Sequence, residues 1–266
     1  MKTKYLLSIL LLFSIPGFSY NICTITEFKS GTHLLWKVIE GGLEGPKAFH
    51  TQDINRAGSP TDKSIFTFHF RDTELLEFAK SHPDLKIVVN IRDFRDISVA
   101  VTDFYSYKFV NGNPFLEPIA VAEKWRTLPY GQQLLALLDP TILGKAELQH
   151  SLNNIRNSLN FILHSPNVYL CHFENLVGPK GGGTREAQIR EITNILEHYG
   201  FAHSLEKVES IADSIWGTAG EHQNKGVIGR WKEHYKRPHV IAGKKAFGDL
   251  LITFGYEKSQ KWGTGI

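Results

Sequence analysis

Apolar positions along this chain fall into short runs and longer stripes that alternate, and the alternation predicts strands separated by helices. Ile22 to Ile25 is an apolar run that leads through Phe28-Lys29-Ser30-Gly31-Thr32 into a helical segment closing near Glu40. Ser64 to Phe70 sets Ile65, Thr67 and His69 against Phe66, Phe68 and Phe70, a two-residue period that predicts a strand with His69 at its carboxyl end. Leu85 to Ile91 and Val168 to Phe173 are apolar runs of the kind buried on both faces of a parallel sheet. A helical period predicts a short helix at Leu75 to Ala79 and others over 97–110, 114–126 and 132–138. One long amphipathic helix is expected over 146–163, using Leu148, Leu152, Ile155, Leu159 and Ile162. Helices ending at Gly200, running from Leu205 to Ile215 and covering 240–254 complete the pattern, while 41–60 is glycine-rich and polar and reads as loop. The expected fold class is α/β: a single three-layer domain with a central, mainly parallel sheet flanked by helices, P-loop NTPase-like.

Composition changes this picture little. Over 266 residues, 42% hydrophobic and 12% aromatic content support one globular domain with a substantial core. The net charge of +3 comes with no block of like charges, so no nucleic-acid partner is expected. The amino terminus does add something: Lys2 and Lys4 precede an apolar run from Tyr5 to Phe13, and Gly17-Phe18-Ser19 supplies the small residues of a cleavage site. This predicts a signal peptide over 1–19, a domain over 20–266, and a secreted or periplasmic protein with no membrane span after cleavage. The alternatives are an uncleaved anchor or a first strand misread as a leader, and, for location, a eukaryotic secretory pathway. Cys23 and Cys171 each lie in a strand-like run and read as buried free thiols.

Candidate chemistry sits where strands end. A chain that passes from a strand into a helix through Ser30-Gly31-Thr32 leaves backbone N–H groups converging at the positive end of the helix dipole, which is an anion site. Lys29 adds an ammonium, but it precedes the glycine, so this is not a Walker A loop. The same stretch also reads as an ordinary capped helix start. Arg92 and Arg95 follow the strand ending at Ile91 and read either as a second anion contact or as a salt-bridged helix start with Asp93 and Asp96. His69 is placed for acid–base work or is one ordinary histidine among twelve. Lys225-Gly226-Val227-Ile228-Gly229-Arg230-Trp231 suits a flap over a phosphate, and Gly181-Gly182-Gly183 reads as a flexible turn.

With these pieces in order, the chain resembles the sulfotransferase family that uses 3′-phosphoadenosine 5′-phosphosulfate, over residues 21 to 257. Lys29-Ser30-Gly31-Thr32 resembles the family's 5′-phosphosulfate loop, and Ile87 to Asp96 with Arg92 is similar to its 3′-phosphate strand and turn. Phe173-Glu174-Asn175-Leu176 resembles the Tyr-Glu-Asp-Met strand end, and Lys225-Gly226 with Gly229 and Trp231 is similar to the family's flap. The resemblance implies transfer of a sulfuryl group from that donor to an acceptor hydroxyl or amine on a small molecule, glycan, lipid or protein, with no metal. It implies Lys29 and His69 as catalytic residues, Lys29 on the bridging oxygen and His69 as the base. It implies donor binding by Lys29, Ser30, Gly31, Thr32, His33, Arg92, Phe173, Lys225 and Gly226, with Trp216 at the place of a loop aromatic that stacks on adenine. The chain departs from the pattern at Ala100, where the family has a serine and where Ser98 is the nearby candidate substitute, and at Thr67, Leu34, Phe173 and Asn224. These departures leave a second reading open, a sulfotransferase-fold binding protein without turnover.

Overall fold

The computed structural model describes residues 22–43, 49–51, 64–110, 119–144, 147–216 and 226–264. In chain order these form β1 (Ile22–Thr26), α1 (Thr32–Gly42), β2 (Phe49–Thr51), β3 (Ser64–His69), α2 (Thr73–Ser81), β4 (Lys86–Ile91) and α3 (Phe94–Val110). Then come α4 (Ile119–Thr127), α5 (Tyr130–Leu138), α6 (Glu147–Asn157), α7 (Leu159–His164), β5 (Val168–His172) and α8 (Phe173–Leu176). The chain continues with α9 (Arg185–Tyr199), α10 (Leu205–Ser214), α11 (Trp231–His234) and α12 (Arg237–Thr253).

The sheet has the order β2-β3-β1-β4-β5, and every pair in it is parallel. Side-chain alternation along the strands divides the core into two layers. Cys23, Ile25, Phe66, Phe68, Ile87, Val89 and Ile91 face one side, where α3, α6 and α12 supply Ile97, Leu152, Phe247 and Leu251. Ile22, Ile65 and Val88 face the other side, toward Leu35 and Val38 of α1, Ile192 and Leu196 of α9 and Ile211 of α10. Helices thus cover both faces of a parallel sheet, as its apolar strands require.

Topology places the site. From β1 the chain crosses to β2 and β3 on one side, then returns past β1 to β4 on the other, so the carboxyl end of β1 is a topological switch point where a crevice opens. The register puts Thr26 level with His69 of β3 and with Asn90 of β4. These three belong to the α1 side of the sheet, the side on which the loop after β1 turns into α1.

Several elements differ from the sequence-based expectation. The segment over 146–163 is two helices, because Ser158 leaves helical geometry (φ −109°, ψ 3°) and restarts the ladder by accepting the Ile162 N–H. The stretch 41–60 contains the short strand β2, held only through its pairing with β3. The last helix begins at Arg237 rather than Val240, since Pro238 is tolerated in a first turn and the Lys236 N–H is capped by His239 Nδ1 at 2.9 Å. Cys23 and Cys171 are buried free thiols, and β4 lies between their strands, a separation of about 9–10 Å that no disulfide spans. Among the described residues no helix is long and apolar enough to cross a membrane. Residues 1–19, read as a signal peptide, lie outside the described residues.

Candidate active site

The loop after β1 is a tight turn. Glu27 O accepts both the Ser30 N–H (3.1 Å) and the Ser30 hydroxyl (2.8 Å), and the two residues flanking Ser30 have left-handed backbones, Lys29 with φ 66° and Gly31 with φ 100°. Gly31 meets two constraints, since a Cβ there would also stand 2.5 Å from the Phe173 ring. Lys29 has no such freedom, and its conformation costs about 1–2 kcal/mol. Contacts from β4 and from Arg92 just beyond it offset that cost. Arg92 Nη1 donates to Lys29 O (3.2 Å), Asn90 Nδ2 donates to Ser30 O (2.8 Å), and the Ser30 hydroxyl reaches Asn90 O (3.2 Å). At about 1 kcal/mol for a neutral bond and 1.5–3 for a charged donor, these bonds outweigh the strain.

Gly31 provides no side-chain cap for α1, and the first helical bond runs from Leu35 N to Gly31 O. The amide groups of the first turn therefore point out of the helix beside Lys29, at the positive end of an eleven-residue dipole. The Lys29 ammonium lies 3.8 Å over the Phe104 ring and 5.1 Å over Phe28. His33 is exposed and meets Trp36 edge to face, while Trp36 Nε1 donates to Thr67 Oγ1 at 2.9 Å. Thr67 also accepts from Thr24, so it forms a buried hydroxyl bridge between sheet and α1.

Thr26 connects the loop to His69. Its hydroxyl is 2.9 Å from Thr32 Oγ1 and 3.1 Å from His69 Nδ1, and its carbonyl is 3.3 Å from the same nitrogen. A carbonyl can only accept, so the proton belongs on Nδ1 and Nε2 is the basic nitrogen. Burial lowers the His69 pKa from the ordinary 6.5, with Arg71 acting in the same direction and the Thr26 bond and Asp72 against it, so the ring is uncharged at neutral pH. The His69 N–H is held by Asp72 Oδ2 at 3.0 Å.

Arg92 is buried at 3% exposure and lies over the Phe173 ring, 4.3 Å from its centroid. Besides Lys29 O it reaches Val227 O (3.0 Å), and its Nη2 is 3.9 Å from Asp96, yet its Nε hydrogen has no protein partner. Arg95 behaves differently. It is bound to Asp93 and Glu257 and covered by Trp231 and Trp262, the salt-bridged alternative raised by the sequence.

Other expected site residues are distributed as follows. Trp216 packs at the Gly181 turn, where an added Cβ on Gly181 would stand 2.8 Å from Trp216 and 2.7 Å from Gly226 O, and Gly181 O accepts the Ile228 N–H. That glycine turn is therefore the seat of the flap. Ser98 is not brought to the rim: it is fully buried, donates to Arg95 O and pairs with Tyr235 OH at 2.9 Å. Lys225 and Asn224 lie outside the described residues. Phe68 is in the core at 0% exposure.

Sequence reading missed four contributors. Asn90, the one amide inside an apolar core strand, was a usable signal, because a buried polar side chain needs a partner. Glu27 is buried at 4% exposure, and its Oε2 receives the Ser151 hydroxyl at 2.6 Å. Desolvation lifts its pKa to about 7, against the bonds from Ser151 and Phe28 and the nearby Arg71, with Asp72 adding to the rise. Thr26 gave no signal, and Asp96 signalled only its ion pair, since the other partners of both are set by the fold. Among the described residues no group of three or more His, Cys, Asp or Glu is arranged to hold a metal ion.

No family model and no curated relative matches the chain. Among solved structures, it is similar to mouse sulfotransferase SULT7A1 complexed with PAP, with a TM-score of 0.60 and 17% identity over 86% of this chain and 84% of that one. At that identity the likeness establishes a shared fold.

Proposed function

We propose that the protein is a sulfotransferase that moves a sulfuryl group from 3′-phosphoadenosine 5′-phosphosulfate to an acceptor hydroxyl or amine. One observation carries the reading. A buried guanidinium, Arg92, has an N–H without a protein partner and is bonded to the same loop that starts α1 without a side-chain cap, a place that suits an anion. The residues present thus suit a ligand with two separated anionic groups. The neighbour's PAP is the corresponding ligand of that protein.

The donor supplies the sulfuryl group. The first-turn N–H groups of Thr32 and His33, with the Ser30-Gly31 turn, hold its 5′ anion, and Arg92 holds the 3′-phosphate together with the flap at Lys225-Gly226. Phe173 supports Arg92 from below, and Trp216 at the flap's seat serves the adenine. Lys29 neutralises charge on the leaving oxygen as the sulfur–oxygen bond breaks, and His69 Nε2 takes the acceptor proton. Thr26 keeps His69 in the tautomer this requires. The reading extends to export through the leader at 1–19, which N-terminal sequencing of the mature protein would test.

The deciding experiment is calorimetric titration of 3′-phosphoadenosine 5′-phosphate into the full chain and into its Lys29→Ala and Arg92→Ala variants. Transfer is then assayed with phenol, sugar and amine acceptors, with His69→Ala as the inactive control. Micromolar binding lost in Arg92→Ala, with transfer lost in His69→Ala, is expected. Absence of binding by the unaltered chain would defeat the reading. The binding-only alternative is favoured by one set of contacts, the commitment of Thr67 and Ser98 to structural partners. Binding without transfer to any acceptor would select it.

A further inference from the structure

The flap has an unusual foundation. Its short helix α11 has Arg230 at the N-cap, and Arg230 makes no capping bond. The orphan amides are met from another element. Asp96, in the first turn of α3, accepts the Gly229 N–H at 2.6 Å and the Trp231 N–H at 2.9 Å. The Asp96 side chain is 1% exposed, and its second neighbour is the Arg92 guanidinium at 3.9 Å, which itself donates to Val227 O. Asp96 and Arg92 thus grip Val227, Gly229 and Trp231, three backbone points in five residues. Ile228, between them, is bonded to the Gly181 turn.

We propose that Asp96 is a positioning residue for the donor site: it caps the flap helix in trans and so fixes the flap against the arginine that receives the phosphate. This rests on the donor-binding reading given above. Two effects of the Asp96 charge oppose each other. By Coulomb attraction alone, a carboxylate 3.9 Å from Arg92 weakens an incoming dianion, and its removal should tighten binding. As a flap anchor it does the reverse, because an amide in its place offers one acceptor oxygen and turns N–H groups toward the N–H groups of the flap. A buried carboxylate accepting two amide hydrogens is not matched by that arrangement, and the anchoring effect dominates. Burial, with the nearby Asp93 charge, raises the Asp96 pKa above the ordinary 3.8, against the downward pull of Arg92 and the two flap N–H groups.

The test compares the full-length chain with Asp96→Asn and with Gly229→Ala. The second variant leaves the Asp96 carboxylate in place and strains the flap backbone that bonds to it, since an added Cβ meets nothing within 4 Å and only the left-handed conformation (φ 79°) is strained. Binding of 3′-phosphoadenosine 5′-phosphate is measured by calorimetry, and amide hydrogen exchange is followed over residues 227–234. In the unaltered protein the Gly229 and Trp231 amides should be strongly protected. Asp96→Asn should bind at least about tenfold more weakly, with exchange accelerated in the flap and unchanged in β4, and Gly229→Ala should shift both readouts in the same direction. Equal or tighter binding by Asp96→Asn with an unaltered flap would overturn the proposal. So would rapid exchange at Gly229 and Trp231 in the unaltered protein, a result that stands even if Asp96→Asn fails to fold. If the unaltered chain binds no nucleotide, the sulfotransferase reading fails and takes the donor-site role of Asp96 with it, while exchange still decides whether Asp96 anchors the flap.

Discussion

Glu27 gives a test of the site's electrostatics that needs no substrate. Its carboxyl is buried between the end of β1 and Ser151 of α6, and its pKa rises from 4.5 to about 7, with desolvation the largest cause. The unfolded chain releases this proton near 4.5 and the folded chain keeps it to about 7. Between those values the folded state binds more protons, so stability falls as pH rises, and the penalty is complete above the folded pKa. A rise of about 2.5 units at 1.36 kcal/mol each is a penalty of about 3 kcal/mol, of which about 2.5 develops between pH 5 and pH 8. Glu27→Gln removes the titration and keeps an acceptor for Ser151. Urea unfolding of both proteins at pH 5, 6, 7 and 8, read as the difference between them, cancels every other titrating group. The unaltered protein should lose about 2.5 kcal/mol relative to the variant across that range. A difference that stays flat with pH would refute the reasoning, and one that grows in the opposite sense would show Glu27 to be stabilised as a carboxylate.

Gly31→Ala should cost about 2–4 kcal/mol in urea unfolding, since the Cβ meets the Phe173 ring at 2.5 Å and the backbone is left-handed. Asn90→Ala removes the bond to Ser30 O and leaves a buried carbonyl unpaired, for a loss of about 1–3 kcal/mol and weaker nucleotide binding by calorimetry. His69→Ala should lower transfer by about 10²–10⁴-fold without changing nucleotide affinity. Because burial holds the His69 pKa below 6.5, the rate of the unaltered protein should be level above that pH and fall on its acid side. A pH–rate profile whose acid limb lies above 6.5 would exclude His69 as the base.

The local sequence determined four of the five strands, most of the helices and the tight turn after β1, and the physical reason is that each depends on near neighbours. Apolar periodicity sets which face of a segment is buried, and Ser30-Gly31-Thr32 after a strand sets where α1 starts. Ser98, two positions before Ala100, lies on another face of the helix, and that face meets Tyr235. Only the tertiary structure decided which polar groups serve the site. Asp96 caps amides 133 and 135 residues away, Asn90 fastens a loop 60 residues earlier, and Thr26 orients a histidine 43 residues later. Those pairings exist because parallel strands bring their carboxyl ends into one row, and burial then obliges each polar group there to find its partner across the row.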